Sequence, residues 1–383
     1  MGADAFIEPI VVASILTAGV FVNRRRKDVS IIQSFWSDPH GGHSWGRSPS
    51  ATNLLSPSLA TPTMEPQWRE RKVFGRTVKS RNTSMWRDTA VSRFLAKFPF
   101  VVEVWYWLLV YWTYQLGRAF TAVTLQADIT PIARLHALSL IDWEKKLGIF
   151  IELSIQRWFL QRPVLLKVIN CIYSFIHIPG TIMFLAWLYR YAPAALFEAR
   201  RRTLAICNLM AFVVFTAWPC MPPRLLPEED EFGFVDTVHA GKVSSVWTSN
   251  RFCQQLAAMP SLHFGYSFVI GLTIATMPHT SHLRASNIQR RIALITIGMA
   301  YPLTILVAII ATANHYVLDA VAGFFVAIVG WHLNGVLVNL LPLEDTVYYF
   351  LCVHKPEREE RRDGTVSPTD FKVGPVEEWW RQA

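Results

Sequence analysis

Long apolar runs separated by short polar clusters set the pattern of this chain. The first run, "FIEPIVVASILTAGVFV" (Phe6 to Val22), is followed at once by "NRRRK". Its charges come after the apolar stretch, the reverse of a secretory leader, so residues 1–22 read as a membrane anchor. Six further runs of about 20 residues have the length of membrane-crossing helices. They lie at Phe98 to Leu116, Val164 to Tyr191, Thr203 to Pro219, Ala258 to Met277, Ile292 to Ala313 and His315 to Leu341. The pattern therefore predicts an all-α polytopic membrane protein with a six-helix transmembrane core and an N-terminal anchor helix. Between the first two core runs, "DWEKKLGIFIELSIQRWFL" mixes charges and apolar residues at roughly helical spacing, which predicts an amphipathic helix lying on the membrane surface. Residues 23–97 are rich in Ser, Thr, Pro and Arg without sustained periodicity and read as a disordered linker. Residues 98–345 form the membrane domain and 346–383 a tail.

Composition agrees with the pattern. The 383 residues are 52% hydrophobic and only 17% charged, whereas soluble domains carry about 25% charged residues. Between Asn23 and Lys97 fourteen Lys/Arg face five Asp/Glu, an excess of nine that equals the formal charge of the whole chain, +9. A basic segment on a membrane protein reads as a cytoplasmic contact for anionic lipid. No aromatic and basic platform accompanies it, so nucleic acid is not the expected partner. The clusters "NRRRK", "YRYAPAALFEARRR", "HLRASNIQRR" and "HKPEREERR" fall on one side of the proposed spans, the cytoplasmic side by the positive-inside rule. Residues 117–163, 220–257 and the junction at Asn314 then share the lumenal or extracellular face. The sequon "NTS" at Asn82 falls in the cytoplasmic linker and is expected to carry no glycan. The five cysteines lack metal-site spacing. Cys220 and Cys253 share the outer face, where they form a disulfide or remain two buried thiols.

Three polar motifs meet that outer face: "CMPPRLLP" (Cys220 to Pro227), "MPSLHFG" (Met259 to Gly265) and "NHYVLDAVAG" (Asn314 to Gly323). Together they offer Arg224, Ser261, His263, His315 and Asp319. Such a set suits phosphoryl transfer through a histidine nucleophile. Asp319, four residues after His315, would lie on the same helix face and orient its ring. His263 would move the proton of the leaving and entering oxygens. Arg224 would hold phosphoryl oxygens in a fork, and Ser261, at a helix start, would add a neutral donor. A metal site built from His263, His315 and Asp319 is the alternative by ligand type. A structural polar pair at His315 and Asp319 and an interfacial Arg224 are the plainer readings. His177, alone in "YSFIHIPG", reads as a packing residue.

"PSLHFG" followed some fifty residues later by "HYVLD" resembles the second and third motifs of the type 2 phosphatidic acid phosphatase superfamily of membrane lipid phosphatases and phosphotransferases. Leucine before the histidine, "PPRLLP" upstream, and "EKKLGIFIE", "YSFIHIPG" and "LYRYAP" are similar to its fungal inositol phosphorylceramide synthase and inositolphosphotransferase branch. The resemblance runs from about Asp142 to Leu341. It implies a six-helix core, a phosphohistidine on His315 oriented by Asp319, proton transfer by His263, and phosphate binding by Arg224 and Ser261, without metal or cofactor. The implied substrate is a phospholipid or sphingolipid, turned over at the lumenal or extracellular face of the Golgi or another endomembrane. A phosphatase with water as acceptor, and a non-catalytic lipid-binding or scramblase-like protein on the same fold, are the alternatives. Three positions of the superfamily's motifs are changed here, two of them cationic: Ala217 stands for a lysine, and Ala308 and Ile309 for a serine and an arginine. The synthases also carry an arginine where this chain has Asn314. Lys145, Lys146, Arg157 and Arg162 are the candidate replacements.

Overall fold

The computed structural model describes residues 7–25, 67–124, 129–237, 256–277 and 287–356. The tail beyond Pro356, most of the basic linker and Cys253 lie outside the described residues. The chain divides into two compact units.

The smaller unit contains strands β1 (Trp68–Val73) and β2 (Arg76–Arg81) and helix α2 (Ala90–Lys97), where sequence periodicity predicted only linker. β1 and β2 pair antiparallel from Trp68 opposite Arg81 to Val73 opposite Arg76. The turn between them places Phe74 and Gly75 at positive φ, 45° and 81°, which glycine adopts without steric cost. Within this unit Arg71 makes a two-pronged ion pair with Asp345, at 3.0 and 3.2 Å. The sequon residue Asn82 is buried, and its Oδ1 accepts from the Ser84 amide at 3.0 Å.

The larger unit is helical: α1 (Ile7–Val22), α3 (Phe100–Thr124, from Glu103 onward), α4 (Thr130–Leu147), α5 (Glu152–Leu160), α6 (Pro163–Cys171), α7 (His177–Tyr191), α8 (Ala194–Ala217), α9 (Leu262–Ala275), α10 (Asn287–Ala311) and α11 (Val317–Leu333). Helix α12 (Leu341–Phe350) belongs to the smaller unit. The chain is thus mostly helical, as expected. The number of crossings is less clear-cut than six. Ile288–Ala311 and Val317–Phe350 are long and apolar enough to cross a bilayer, and two bent helix pairs, Ala90–Gly117 and Pro163–Tyr191, qualify if each crosses as one. The other two expected spans fall short for physical reasons. Glu198, Arg200, Arg201 and Arg202 interrupt α8, and the 14 residues of α9 rise only about 21 Å against about 30 Å of hydrocarbon. α1, the expected anchor, is likewise a short apolar helix.

The basic stretch at the start of α8 is not simply a solvated loop. Arg201 is paired with Glu103 of α3 at 2.5 Å, and the buried Arg200 stacks its guanidinium 3.2 Å from the centroid of the Trp331 ring. Burying these charges requires partners, and α3 and α11 supply them.

The segment expected to lie flat on the membrane breaks at Gly148, whose φ of 71° ends α4. The Ile149 amide returns to the Glu144 carbonyl at 2.9 Å and the Gly148 amide to Lys145 at 3.1 Å, a Schellman ending that glycine favours. Glu144, Glu152 and Gln156 are fully buried, whereas Trp143, Leu147, Ile151 and Trp158 are exposed. On α4 the buried face is Ala133, Ala137, Leu140, Ile141 and Glu144, which packs against Cys220, Met221, Ala258 and Tyr316.

Helices α9, α10 and α11 approach closely through glycines. A Cβ on Gly265 would sit 3.0 Å from the Gly323 carbonyl oxygen, and one on Gly323 would run into the carbonyl oxygen of Ser261. Gly271 and Gly298 make the same kind of contact between α9 and α10. Small residues allow backbones this near, as in other membrane helix pairs. Gly323→Ala should therefore lower stability by about 1–3 kcal/mol through overpacking. Gly335, with nothing within 4 Å of its would-be Cβ, should accept alanine with little change. Thermal unfolding of the two variants in detergent checks the contrast.

Candidate active site

α10 ends where Ala313 adopts a positive φ of 52°. The amides of Asn314 and His315 both return to the Ile309 carbonyl, at 3.0 and 3.3 Å. This turn swings His315 clear of α10 and sets it before Tyr316, the N-cap of α11. His315 and Asp319 therefore do not stack on one helix face as their spacing suggested, because the helix begins only at Val317. The His315 Nδ1 lies 2.7 Å from the Ala258 carbonyl oxygen. A carbonyl can only accept, so Nδ1 carries a proton, and in the neutral ring the lone pair is on Nε2. Asp319 Oδ2 stands farther from Nδ1, at 3.5 Å. Its shorter bond is to the Tyr316 amide, at 2.9 Å. Asp319 thus serves the helix start first and the imidazole second.

The next two amides of α11 are met by the residues that the amphipathic reading placed at the surface. Val317 N–H donates to Glu152 Oε1 and Leu318 N–H to Glu144 Oε1, both at 2.8 Å. A helix leaves its first amides without intrahelical partners. Here three consecutive amides each have their own carboxyl, and all three acids are fully buried. Burial, reinforced by the hydrogen bond and charge of neighbouring Glu152, pushes the Glu144 carboxyl up to about 9.

Arg224 reaches this site through a short parallel pairing. The Cys220 amide donates to the Leu256 carbonyl at 2.9 Å and the Ala258 amide to the Cys220 carbonyl at 3.0 Å. The Arg224 amide then donates to the Ala313 carbonyl at 2.9 Å. Its guanidinium donates from Nε to Asn314 Oδ1 at 2.8 Å and from Nη1 to Asp236 Oδ2 at 3.0 Å. Asn314 and Asp236 therefore orient Arg224 together, and the Asn314 Nδ2 donates to Thr312 Oγ1 at 2.8 Å. Asp236 sits on a strap anchored by Gln156, which bonds both the amide and the carbonyl of Val235, and by Asn170, which bonds the Thr237 carbonyl.

His263 is the second residue of α9. Its ring centroid lies 5.6 Å from that of His315, 4.7 Å from that of Tyr173 and 4.7 Å from that of His177. A π-helical turn, Ile172–Ile176, precedes His177. Such turns bulge a helix and re-aim its side chains. His177 is buried and packs in the ring stack behind His263, with the Tyr301 hydroxyl 3.4 Å from its Nδ1. Ser261 is fully buried as the N-cap of α9, its Oγ accepting from the Phe264 amide at 3.4 Å while its own amide donates to the Asp319 carbonyl at 2.9 Å.

The structure thus brings His263, His315, Asp319, Arg224 and Ser261 into one region. Sequence reasoning missed Glu144, Glu152 and Asp236. The signal for the two glutamates was their place in "EKKLGIFIE", which resembled the synthase branch without an assigned role. Of the proposed replacement cations, Lys145 lies over the Phe150 and Phe232 rings, Lys146 pairs with Asp142, and Arg162 stacks on Trp158. Cys220 is buried, and burial pushes its thiol up. Among the described residues no three His, Cys, Asp or Glu side chains are grouped as metal ligands.

Residues 138–333, about half of the chain, match a family model described as the PAP2 superfamily. Comparison with curated proteins and with solved structures finds no match. The matched span contains every residue of the site.

Asn314→Ala removes the acceptor of the Arg224 Nε and should lower stability by about 1–3 kcal/mol, the range for stranding a buried charged donor. Chemical or thermal unfolding of the purified variant measures the loss. An unchanged midpoint would mean that Asn314 does not hold the guanidinium.

Proposed function

The chain belongs to the PAP2 superfamily, whose chemistry is that of phosphatases and phosphotransferases acting on lipid phosphates, and we propose that this member transfers a phosphoryl-bearing head group from a membrane phosphodiester to an alcohol. The observation that carries the reading is the His315 ring, fixed with Nδ1–H on the Ala258 carbonyl, which in the neutral ring places the lone pair on Nε2.

Nε2 attacks phosphorus, a P–N bond forms, and the P–O bond to the donor lipid breaks as His263 gives that oxygen its proton. His263, now neutral, takes the proton of the acceptor hydroxyl, whose oxygen attacks phosphorus. The P–N bond breaks, and His315 returns to its starting state. Asp319, near Nδ1, favours the positive charge that the ring gains in the intermediate. Arg224 and Ser261 hold the non-bridging oxygens.

Charge balance supports a diester over a monoester. A phosphate monoester brings about −1.5 to −2 near neutral pH, whereas a diester brings a single negative charge. The positions that the wider superfamily fills with cations are Ala217 and Ile309 here, and Ile309 and its neighbour Ala308 are fully buried. Resemblance to the inositolphosphotransferase branch supports an inositol phosphate head group and a sphingolipid acceptor. The positive-inside distribution supports a lumenal or extracellular active site.

Purified protein given head-group-labelled phosphatidylinositol and ceramide should form a labelled phosphosphingolipid. Label released to water would mean a hydrolase, and no turnover of any phospholipid would overturn the enzymatic reading. His315→Ala should lower kcat by about 1,000-fold or more, and full turnover would remove His315 as nucleophile. Activity should persist in strong chelator, while its loss would favour a metal held by His263, His315 and Asp319.

A further inference from the structure

We propose that Glu144 and Glu152, the first and last residues of "EKKLGIFIE", share one proton and act as a paired clamp that positions the first turn of α11 and, through it, His315. The catalytic part of this proposal rests on the phosphohistidine reading above, while the shared proton does not.

Each glutamate spends Oε1 on an α11 amide. Each leaves Oε2 buried and without a protein donor among the described residues. The two Oε1 atoms meet the amides of adjacent residues, Val317 and Leu318, which brings the two carboxyls side by side. Two buried carboxylates side by side cannot both ionise without large repulsion. A proton between the Oε2 atoms removes one charge and gives both oxygens a partner. Among the described residues the groups facing the pair supply no cation. Asp319 and Tyr316 face the pair from α11 and Cys220 faces Glu144 from the loop after α8, all anionic or neutral. Tyr316 commits its hydroxyl proton to the Met221 carbonyl at 3.1 Å. Lys145, beside Glu144 in the chain, places its ammonium over Phe150 and Phe232.

The clamp has a pH signature. Glu144 is raised from an ordinary 4.5 to about 9 in the folded protein. The folded state therefore keeps a proton that the unfolded chain gives up. Its contribution to stability is complete below about 4.5, declines as pH rises, and is gone above about 9. One retained proton changes the folding equilibrium by about tenfold per pH unit across that window.

Glutamine can replace the protonated member, because its amide oxygen still accepts from α11 and its N–H donates to the remaining carboxylate. Full-length Glu144→Gln and Glu152→Gln in detergent should each keep kcat close to the parent. Their unfolding midpoints should fall less steeply than the parent's between pH 5 and pH 9, by one proton's worth of linkage. The double variant, E144Q/E152Q, would set two N–H groups against each other with no acceptor. It should lose about 100-fold in kcat with little change in KM, the scale expected when a reacting group is misplaced by about 1 Å. Single variants whose stability parallels the parent across that pH range would overturn the shared proton, whether or not the double variant folds. Single variants that lose as much activity as the double would overturn it as well. Should His315→Ala keep turnover, the catalytic reading fails separately, and the pH dependence of unfolding still decides the proton.

Discussion

The start of α11 is the constraint on which the site depends. A helix beginning inside a protein presents amides that no earlier turn can satisfy, and leaving them bare in a buried setting is costly. This chain answers with Asp319, Glu152 and Glu144 on the amides of Tyr316, Val317 and Leu318. The three acids come from three helices, so α4, α5 and α11 are brought to one point. His315 immediately precedes that point. The same positive helix end that makes acids welcome there also favours an anionic substrate beside it.

Two more arrangements complete the region from the other side. The parallel pairing at Cys220 and Ala257 delivers Arg224 to Asn314 and supplies the neighbouring Ala258 carbonyl to His315. The near approach of α9 to α11 at Gly265 and Gly323 holds His263 and Ser261 in register with Asp319. Backbone contacts dominate both, which explains why motifs so far apart in the chain can define one small space. The lone guanidinium from the first motif, shared between Asn314 and Asp236, gives this space a weaker positive character than three motif cations would, and the proposed diester substrate follows from that difference.

Much of the site was legible in the sequence, because His263, His315, Asp319 and Arg224 are ionisable or polar residues set among apolar runs, where such residues are expensive and usually functional. The membrane character and helical class were legible for the same reason of composition. What the sequence did not show depends on the local path of the backbone and on distant partners. The four-residue spacing of His315 and Asp319 suggested one helical face, but the left-handed turn at Ala313 starts the helix later. Glu144, Glu152 and Gln156 had no assigned role, because the amides and strap they bind lie 79 or more residues away in the chain, beyond the reach of any local pattern. His177 is buried among rings, as its packing reading expected, and what hydropathy did not show is that one of those rings is His263. Six spans were expected from apolar length alone, whereas two to four helices or bent pairs among the described residues have the length and composition of a span, and α9 has only 14 residues.

The acceptor for the His315 ring is a main-chain oxygen, that of Ala258, and this changes how the protein would respond to mutation and drift. A side-chain acceptor can be erased by one codon change, whereas a carbonyl survives any substitution at its own residue that keeps the backbone path. The tautomer of the ring is therefore protected against point mutation but exposed to insertions and deletions between Cys220 and Pro260. Side-chain scanning would rank Ala258 among the least important positions of the site, although its peptide group decides which nitrogen of His315 is basic.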